Sequence, residues 1–348
     1  MKIDAEINKI VYKPLMCREL ETIPFDNIER GLSKFGSFLL EIDSKNQFGI
    51  SWWVSAKRTR SYPYARVYDT LSFSGKKVTI IPIYKDEGFQ GDRDFIQWDT
   101  ISLMSLLQVY VIIGHYDSAI KSKRYEHKIT KQRFDVEDLK SQLRDLVNFQ
   151  SDALHWNLLQ ADKASTIAVK ALQSYEEISR KTGVRMHSET TVTDRINKIS
   201  LGAESFKRLS RDNATSAQFR ETSTTQPKEK VNPNEKASLT IKNYLGGQYY
   251  FTADEARIEG NNIKLVECKH TSKGKLPSKG DIKDALLKMV LFSNLENVFI
   301  DQKKYEPIAT LKLTSGSEFH HSYLENQTFR LLEKEASTNN FQLDVAYI

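Results

Sequence analysis

Cysteine is nearly absent from this chain: Cys17 and Cys268 are the only two in 348 residues, and they form no CxxC pair. That excludes a disulfide framework and a cysteine-built zinc site, and it suits a reducing cytosol. No apolar run approaches the roughly 20 residues that span a bilayer. The opening Met-Lys-Ile-Asp-Ala-Glu-Ile lacks the apolar core of a signal peptide. A cytoplasmic protein with no membrane partner is therefore expected. Neither a Walker phosphate loop nor a GxGxxG fingerprint occurs, so ATP-driven translocation and dinucleotide binding are not expected. No tandem repeat is visible. The excess of base over acid is small, with a net charge of +6, and favours an anionic partner only mildly.

What is present reads as a mixed α/β chain, long enough for one large domain or two ordinary ones. Four regions are expected: an N-terminal α/β region at 1–130, a helical hairpin region at 131–205, a polar basic linker at 206–240 and a compact α/β core at 241–348. In the first, residues 38–42, 49–54 and 78–84 are rich in β-branched and aromatic side chains and predict strands. The apolar stretch from Asp99 to Ile113 predicts a buried helix capped at Asp99 and ended by Gly114. In the second, Asp135 followed by Asp138 predicts a helix N-cap, and a further helix runs from about Ala164 to Lys181 and stops at Gly183. The linker is rich in Ser, Thr, Asn and Gln. From Ser205 to Lys242 it carries eight Lys and Arg against four Asp and Glu, which suits either a solvated connection or a segment that embraces a phosphate backbone.

The chemistry concentrates at residues 249–270. Gly260-Asn261-Asn262 predicts a tight turn, because Gly and Asn tolerate positive φ. It folds one strand back on Ile263 to His270. Side chains alternate along a strand, so Glu267 and Lys269 share a face, and Asp254 on the partner strand can approach them. Two carboxylates this close repel unless a cation lies between them. Mg²⁺, with Mn²⁺ as a substitute, prefers hard oxygen ligands, and Asp254, Glu267 and the Cys268 carbonyl make a sufficient cradle. Cys268 itself should point to the other face. A lysine beside that cation can stabilise charge or orient an attacking water, which is the equipment of a metal-dependent phosphodiesterase. Glu255, next to Asp254, is the alternative acid, since strand alternation lets only one of the two face the cluster.

Ala253-Asp254, a gap, then an apolar lead into Glu267-Cys268-Lys269 resembles the PD-(D/E)XK nuclease superfamily, home of most type II restriction endonucleases. The segment from Leu276 to Met289 resembles the amphipathic helix that packs beside that site. Ala253 stands where the family pattern has Pro, a position that carries no catalytic atom. The resemblance covers roughly residues 245–315. It implies an α+β, restriction-endonuclease-like mixed sheet flanked by helices. It implies Asp254 and Glu267 as metal ligands and Lys269 as the catalytic lysine. It further implies double-stranded DNA as substrate, a homodimer matched to a palindromic site, and a DNA methyltransferase as genetic partner. A repair, recombination or other phage-defence nuclease, and a non-catalytic DNA-binding protein in which the hairpin is structural, are the alternatives.

Basic residues elsewhere offer phosphate contacts. Trp52 to Arg66 interleaves aromatics with Lys57, Arg58, Arg60 and Arg66, a composition that stacks on bases and meets phosphates, or that forms a strand with a solvated loop. Lys283 and Lys288, on the helix after the motif, are further candidates.

Overall fold

The computed structural model describes residues 1–56, 61–187, 236–244, 246–272, 274–324 and 326–347, with backbone only at 61, 62 and 321. Two compact units divide the chain: Met1–Glu19 with Arg211–Ile348, and Leu20–Ser210. The first opens with β1 (Lys2–Ile7). The second holds β2 (Thr22–Pro24), α1 (Ile28–Lys34), β3 (Ser37–Glu41), β4 (Gln47–Trp52), α2 (Ser61–Tyr68), β5 (Lys76–Pro82), β6 (Tyr84–Asp86), β7 (Arg93–Phe95), α3 (Trp98–Leu106), β8 (Val109–Gly114), β9 (Tyr116–Lys121), β10 (Ile129–Phe134), α4 (Val136–Asn148) and α5 (Ala153–Thr182). The first unit then resumes with β11 (Ala237–Asn243), β12 (Gln248–Ala253), β13 (Glu255–Glu259), β14 (Asn262–Thr271), α6 (Lys279–Phe292), β15 (Glu296–Ile300), β16 (Lys303–Ser315), α7 (His321–Leu324), α8 (Gln327–Thr338) and β17 (Gln342–Tyr347). Mixed sheets flanked by helices make this an α+β chain. No helix among the described residues is long and apolar enough to cross a membrane.

In the 20–210 unit a sheet runs β2-β3-β4-β5-β8, with β4, β5 and β8 parallel. Its face is packed by Leu139, Leu143 and Leu146 of α4 against Phe38, Leu40, Ile50, Ile80 and Ile112. The edge strand β8 would expose unpaired backbone groups, a liability that proteins cover. Here α5 covers it with side chains. Asn157 accepts from the Val111 amide at 2.6 Å and donates to the Val109 carbonyl at 3.0 Å, and Trp156 donates to the Val111 carbonyl at 2.7 Å.

The expected helix from Asp99 to Ile113 is two elements. Helix α3 starts at Trp98, with Gln97 rather than Asp99 at the N-cap position and no side-chain capping bond, and ends at Leu106. Gln108, at φ 55°, turns the chain, and the β-branched run after it becomes β8. The apolar content predicts burial, but only the neighbouring strand decides that this run is extended. The Asp135 cap forms as expected, its carboxylate accepting from the Asp138 amide at 3.0 Å. Helix α5 does end at Gly183, at φ 67°, but it starts at Ala153, earlier than expected. Both helices lie against β8 and are tied by Lys170 to Asp138 at 2.8 Å.

The region boundaries also differ from the expectation. Residues 1–19 belong with the C-terminal unit, so no single region spans 1–130. Strand β1 alternates exposed and buried residues, and Ile3, Ala5 and Ile7 are buried. It pairs parallel to β11 and antiparallel to β15. A six-residue alternating strand does not declare its partner, which is why sequence proximity misassigns it. The expected linker at 206–240 lies outside the described residues up to 235, and its end is β11. Residues 188–205 of the expected hairpin region also lie outside them.

The sheet of the first unit runs β12-β11-β1-β15-β16-β14-β13, with β17 added beside β16. Strand β14 is antiparallel to β13 and parallel to β16, which is parallel to β17. Helix α6 makes the crossover between the two parallel strands and packs on both. The arm that follows β1 is anchored by Glu335 of α8, which is fully buried. The Tyr12 hydroxyl (2.8 Å) and the Leu15 and Met16 amides (2.9 and 3.0 Å) all donate to its carboxylate. Glu335→Ala should strand these donors and destabilise the protein by about 3 kcal/mol. A lower urea midpoint and faster amide exchange at Leu15 and Met16 are expected. An unchanged midpoint would show that the arm is not tied through this carboxylate.

Candidate functional site

Gly260 at φ 66° and Asn261 close a two-residue turn between β13 and β14, with Glu259 paired to Asn262. This fixes the register of the hairpin, with Glu255 opposite Val266. On β14, Ile263, Leu265 and Glu267 face one way and are buried. Asp254 is the bend residue between β12 and β13, not a residue within a strand. Its amide donates to the Val266 carbonyl at 3.0 Å, and its carboxylate accepts from the Cys268 amide at 2.8 Å. The bend thus turns the Asp254 side chain toward the Glu267-Cys268-Lys269 segment.

Glu267 is 2% exposed and carries an ammonium on each oxygen. Lys269 lies 3.0 Å from Oε1 and Lys288 lies 2.7 Å from Oε2. Lys269 also reaches Asp284 Oδ2 at 2.7 Å. Asp284 and Lys288 stand four residues apart on α6 and so share a helix face. Helix α6 starts where the Ser278 hydroxyl caps it by accepting from the Asp281 amide at 3.1 Å. Its apolar residues Ile282, Ala285, Leu286 and Met289 are buried, and this burial holds the charged face against β14.

Burial alone would raise the Glu267 carboxyl, but the ammonium groups of Lys288 and Lys269 outweigh it and hold the group below the usual carboxylate range. Burial would lower Lys288, yet Glu267, with Asp254 adding, raises it well above the ordinary lysine value. Lys269 is raised in the same sense: Glu267 and Asp284 overcome its burial. All three groups are therefore ionised at neutral pH. The Cys268 thiol is pushed up by burial and by the carboxylates of Asp254 and Glu255. It remains a protonated thiol and is no nucleophile.

The alternative acid is placed elsewhere. Glu255 turns to the opposite face, where it pairs with Lys312 at 2.7 Å and Arg257 at 3.0 Å. The Cys268 sulfur, 3.7 Å from Glu255 Oε1, is on that face too. Asp254 and Glu255 do face different surroundings, but because Asp254 sits in the bend and Glu255 opens β13, not through alternation along one strand. Lys283 is 6% exposed within α6, so it does not present an open ammonium for phosphate as the sequence suggested. Lys57, Arg58 and Arg60 lie outside the described residues. Arg66 is engaged with Trp52, its guanidinium 4.5 Å from the ring centre. Asp284 is the member that motif reading missed. A charged pair spaced by four on an otherwise apolar helix was the available signal, because buried charges are rare unless paired.

For a hard divalent cation the donors are Asp254, Glu267 and main-chain oxygen. A residue's N–H and C=O leave an extended strand by the same edge. The Cys268 amide meets Asp254, so the Cys268 carbonyl is on that side as well. The donor chemistry suits Mg²⁺ or Mn²⁺. Among the described residues no three His, Cys, Asp or Glu side chains form a metal-holding group, so main chain or water would complete the shell. Both Glu267 oxygens are already paired, and a cation there would displace an ammonium.

The other unit holds a groove of about 640 Å³ lined by Trp52, Phe134, Arg30, Lys131 and Arg133, among others. Lys131 sits at φ 52° where the β9–β10 register shifts, a bulge that re-aims side chains. Arg133 is partly neutralised by Glu29 at 3.3 Å.

A scan against protein-family models finds no match, and searches of curated proteins and of solved structures find none either.

Replacing Glu267 by Ala should leave two ammonium groups facing each other. The expected loss is about 3 kcal/mol, and adding Lys288→Met should restore part of it. Additive losses in that cycle would show the pair to be uncoupled. The Glu267 carboxyl is depressed in the folded state, so its stabilisation is present above the unfolded value of about 4.3 and is lost as pH falls through the folded one. The melting temperature of the wild type should fall more steeply below about pH 4 than that of Glu267→Gln.

Proposed function

We propose that this chain is a Mg²⁺-dependent endonuclease that hydrolyses phosphodiester bonds of double-stranded DNA. The observation that carries the reading is the Asp254 carboxylate bonded to the Cys268 amide, between Glu267 and Lys269, which pair with each other and with Lys288 and Asp284 of α6. Further support comes from the β13-β14-β16-β17 arrangement with its α6 crossover, which accords with the restriction-endonuclease-like fold that the motif implies.

Asp254, Glu267 and the Cys268 carbonyl would hold the cation. When bound, the ion supplies a water of lowered pKa and neutralises charge building on the phosphate. Glu267, kept ionised by its ammonium partners, offers a full negative charge as ligand. Lys269 is held between Glu267 and Asp284. From there its ammonium can donate to the attacking water or to a non-bridging phosphate oxygen. In the hydrolysis the water oxygen bonds to phosphorus, the P–O3′ bond breaks, and the water's proton is passed to the solvent or the leaving oxygen.

Within this reading the cleavage is sequence-specific and of restriction type. Two copies act, one on each strand of a palindromic site, and a DNA methyltransferase protects the host. The groove of the other unit supplies sequence-independent phosphate contacts through Arg30, Lys131 and Arg133.

A second reading, a DNA-binding protein with a structural charge lattice, draws on one observation: each Glu267 oxygen already has an ammonium. Plasmid or phage DNA incubated with Mg²⁺ and the full chain decides between them. Discrete fragments are expected, with sequenced ends reporting the site. Asp254→Asn, Glu267→Gln and Lys269→Ala should each lower cleavage by about 10²-fold or more, with DNA binding retained in a gel shift. A folded wild type that binds DNA but leaves it intact with Mg²⁺ or Mn²⁺ selects the second reading. For the groove, Arg30→Ala with Lys131→Ala should weaken binding to all sequences alike and reduce the salt slope by about 2. An unchanged slope would remove the groove from the interface.

A further inference from the structure

We infer that Lys288 is an internal competitor for the divalent cation: its ammonium holds Glu267 Oε2 until metal and DNA arrive together, and it must leave for the cation to bind. This rests on the nuclease reading above and adds a regulatory step to it. Four observations carry it.

Lys288 is not part of the strand motif. It reaches Glu267 from α6 and not from β13 or β14. Its hold is direct, at 2.7 Å, on a carboxylate that is 2% exposed. The two lysines differ in how they are tied: Lys269 bridges Glu267 and Asp284, whereas among the described residues Lys288 pairs with Glu267. The Lys288 side chain is 25% exposed, so its stem borders solvent. A flexible four-carbon stem lets the ammonium swing away without moving the backbone.

The alternative resting place is also present. Asp284 lies one turn back on the same helix face, within reach of the ammonium. A DNA phosphate drawn into the cluster would be a stronger lure. The anion would pull Lys288 off Glu267 and free the oxygen that the cation needs. Metal and DNA would then bind with positive coupling, and each would strengthen the other by the same factor. In the absence of DNA the cation pays the cost of displacing an ion pair, so the free protein binds it weakly.

Manganese binding to the full chain, read by electron paramagnetic resonance and by the Mn²⁺-induced rise in melting temperature, tests this without reference to cleavage. Lys288→Met should bind Mn²⁺ at least about tenfold more tightly than wild type and show a larger thermal shift. Lys288→Arg, which keeps the charge and can clasp the carboxylate with two donors, should bind it no more tightly than wild type, and more weakly if both donors engage. A short duplex should tighten Mn²⁺ binding in the wild type and do so less in Lys288→Met. If wild type binds Mn²⁺ and folded Lys288→Met binds it no better, the inference fails while the nuclease reading stands. Should Lys288→Met not fold, tighter Mn²⁺ binding by Lys288→Arg overturns the inference, and equal or weaker binding together with duplex-enhanced binding in the wild type supports it. No Mn²⁺ bound by wild type or Lys288→Met, with or without DNA, removes the metal-enzyme reading itself.

Discussion

A carboxylate stripped of water stays ionised only if cations replace the water, and Glu267 has two within 3.0 Å. Much of the first unit is organised to deliver them. Lys269 comes from the same strand, two residues on, and needs only the pleat. Lys288 comes from α6, and needs the helix seated by its buried Ile282, Leu286 and Met289 on β14 and β16. The Ser278 cap sets where that helix begins and therefore which side chains face down. Asp284 then closes the arrangement by holding Lys269 from the other side. The cluster is a product of tertiary packing, although two of its members are adjacent in the motif.

The same sheet carries a second charged network on its other face. Glu255 is met there by Lys312 and Arg257, beside the Cys268 sulfur. Its oxygens are tied to cations from β16 and β13, and it is 6% exposed. The neighbouring residues Asp254 and Glu255 thus enter different environments because one lies in a bend and the other opens a strand. That separation keeps the two sets of charges from compensating one another and leaves Asp254 with the Glu267 cluster.

In the other unit the governing constraint is the open edge of a mixed sheet whose last three strands are parallel. Such sheets are stable when both faces and edges are covered. Asn157 and Trp156 perform this at β8 by taking the place of a further strand, which explains two polar groups in a buried position. The same unit also has an aromatic and basic surface: Trp52 is half-buried under Arg66, and Arg30 and Lys131 line a groove with it.

Sequence by itself determined what depends on near neighbours. The Gly260-Asn261 turn, the shared face of Glu267 and Lys269, the opposite orientation of Cys268, the Asp135 cap and the Gly183 stop each follow from a few consecutive residues, because backbone preference and strand alternation act at short range. Only the tertiary structure decided that β1 joins the C-terminal sheet, that Val109–Gly114 is a strand and not the end of a helix, that Lys283 is buried, and that Asp284 and Lys288 complete the charge cluster. Those outcomes depend on which distant segment offers hydrogen bonds, apolar cover or opposite charge, and no local pattern encodes that choice.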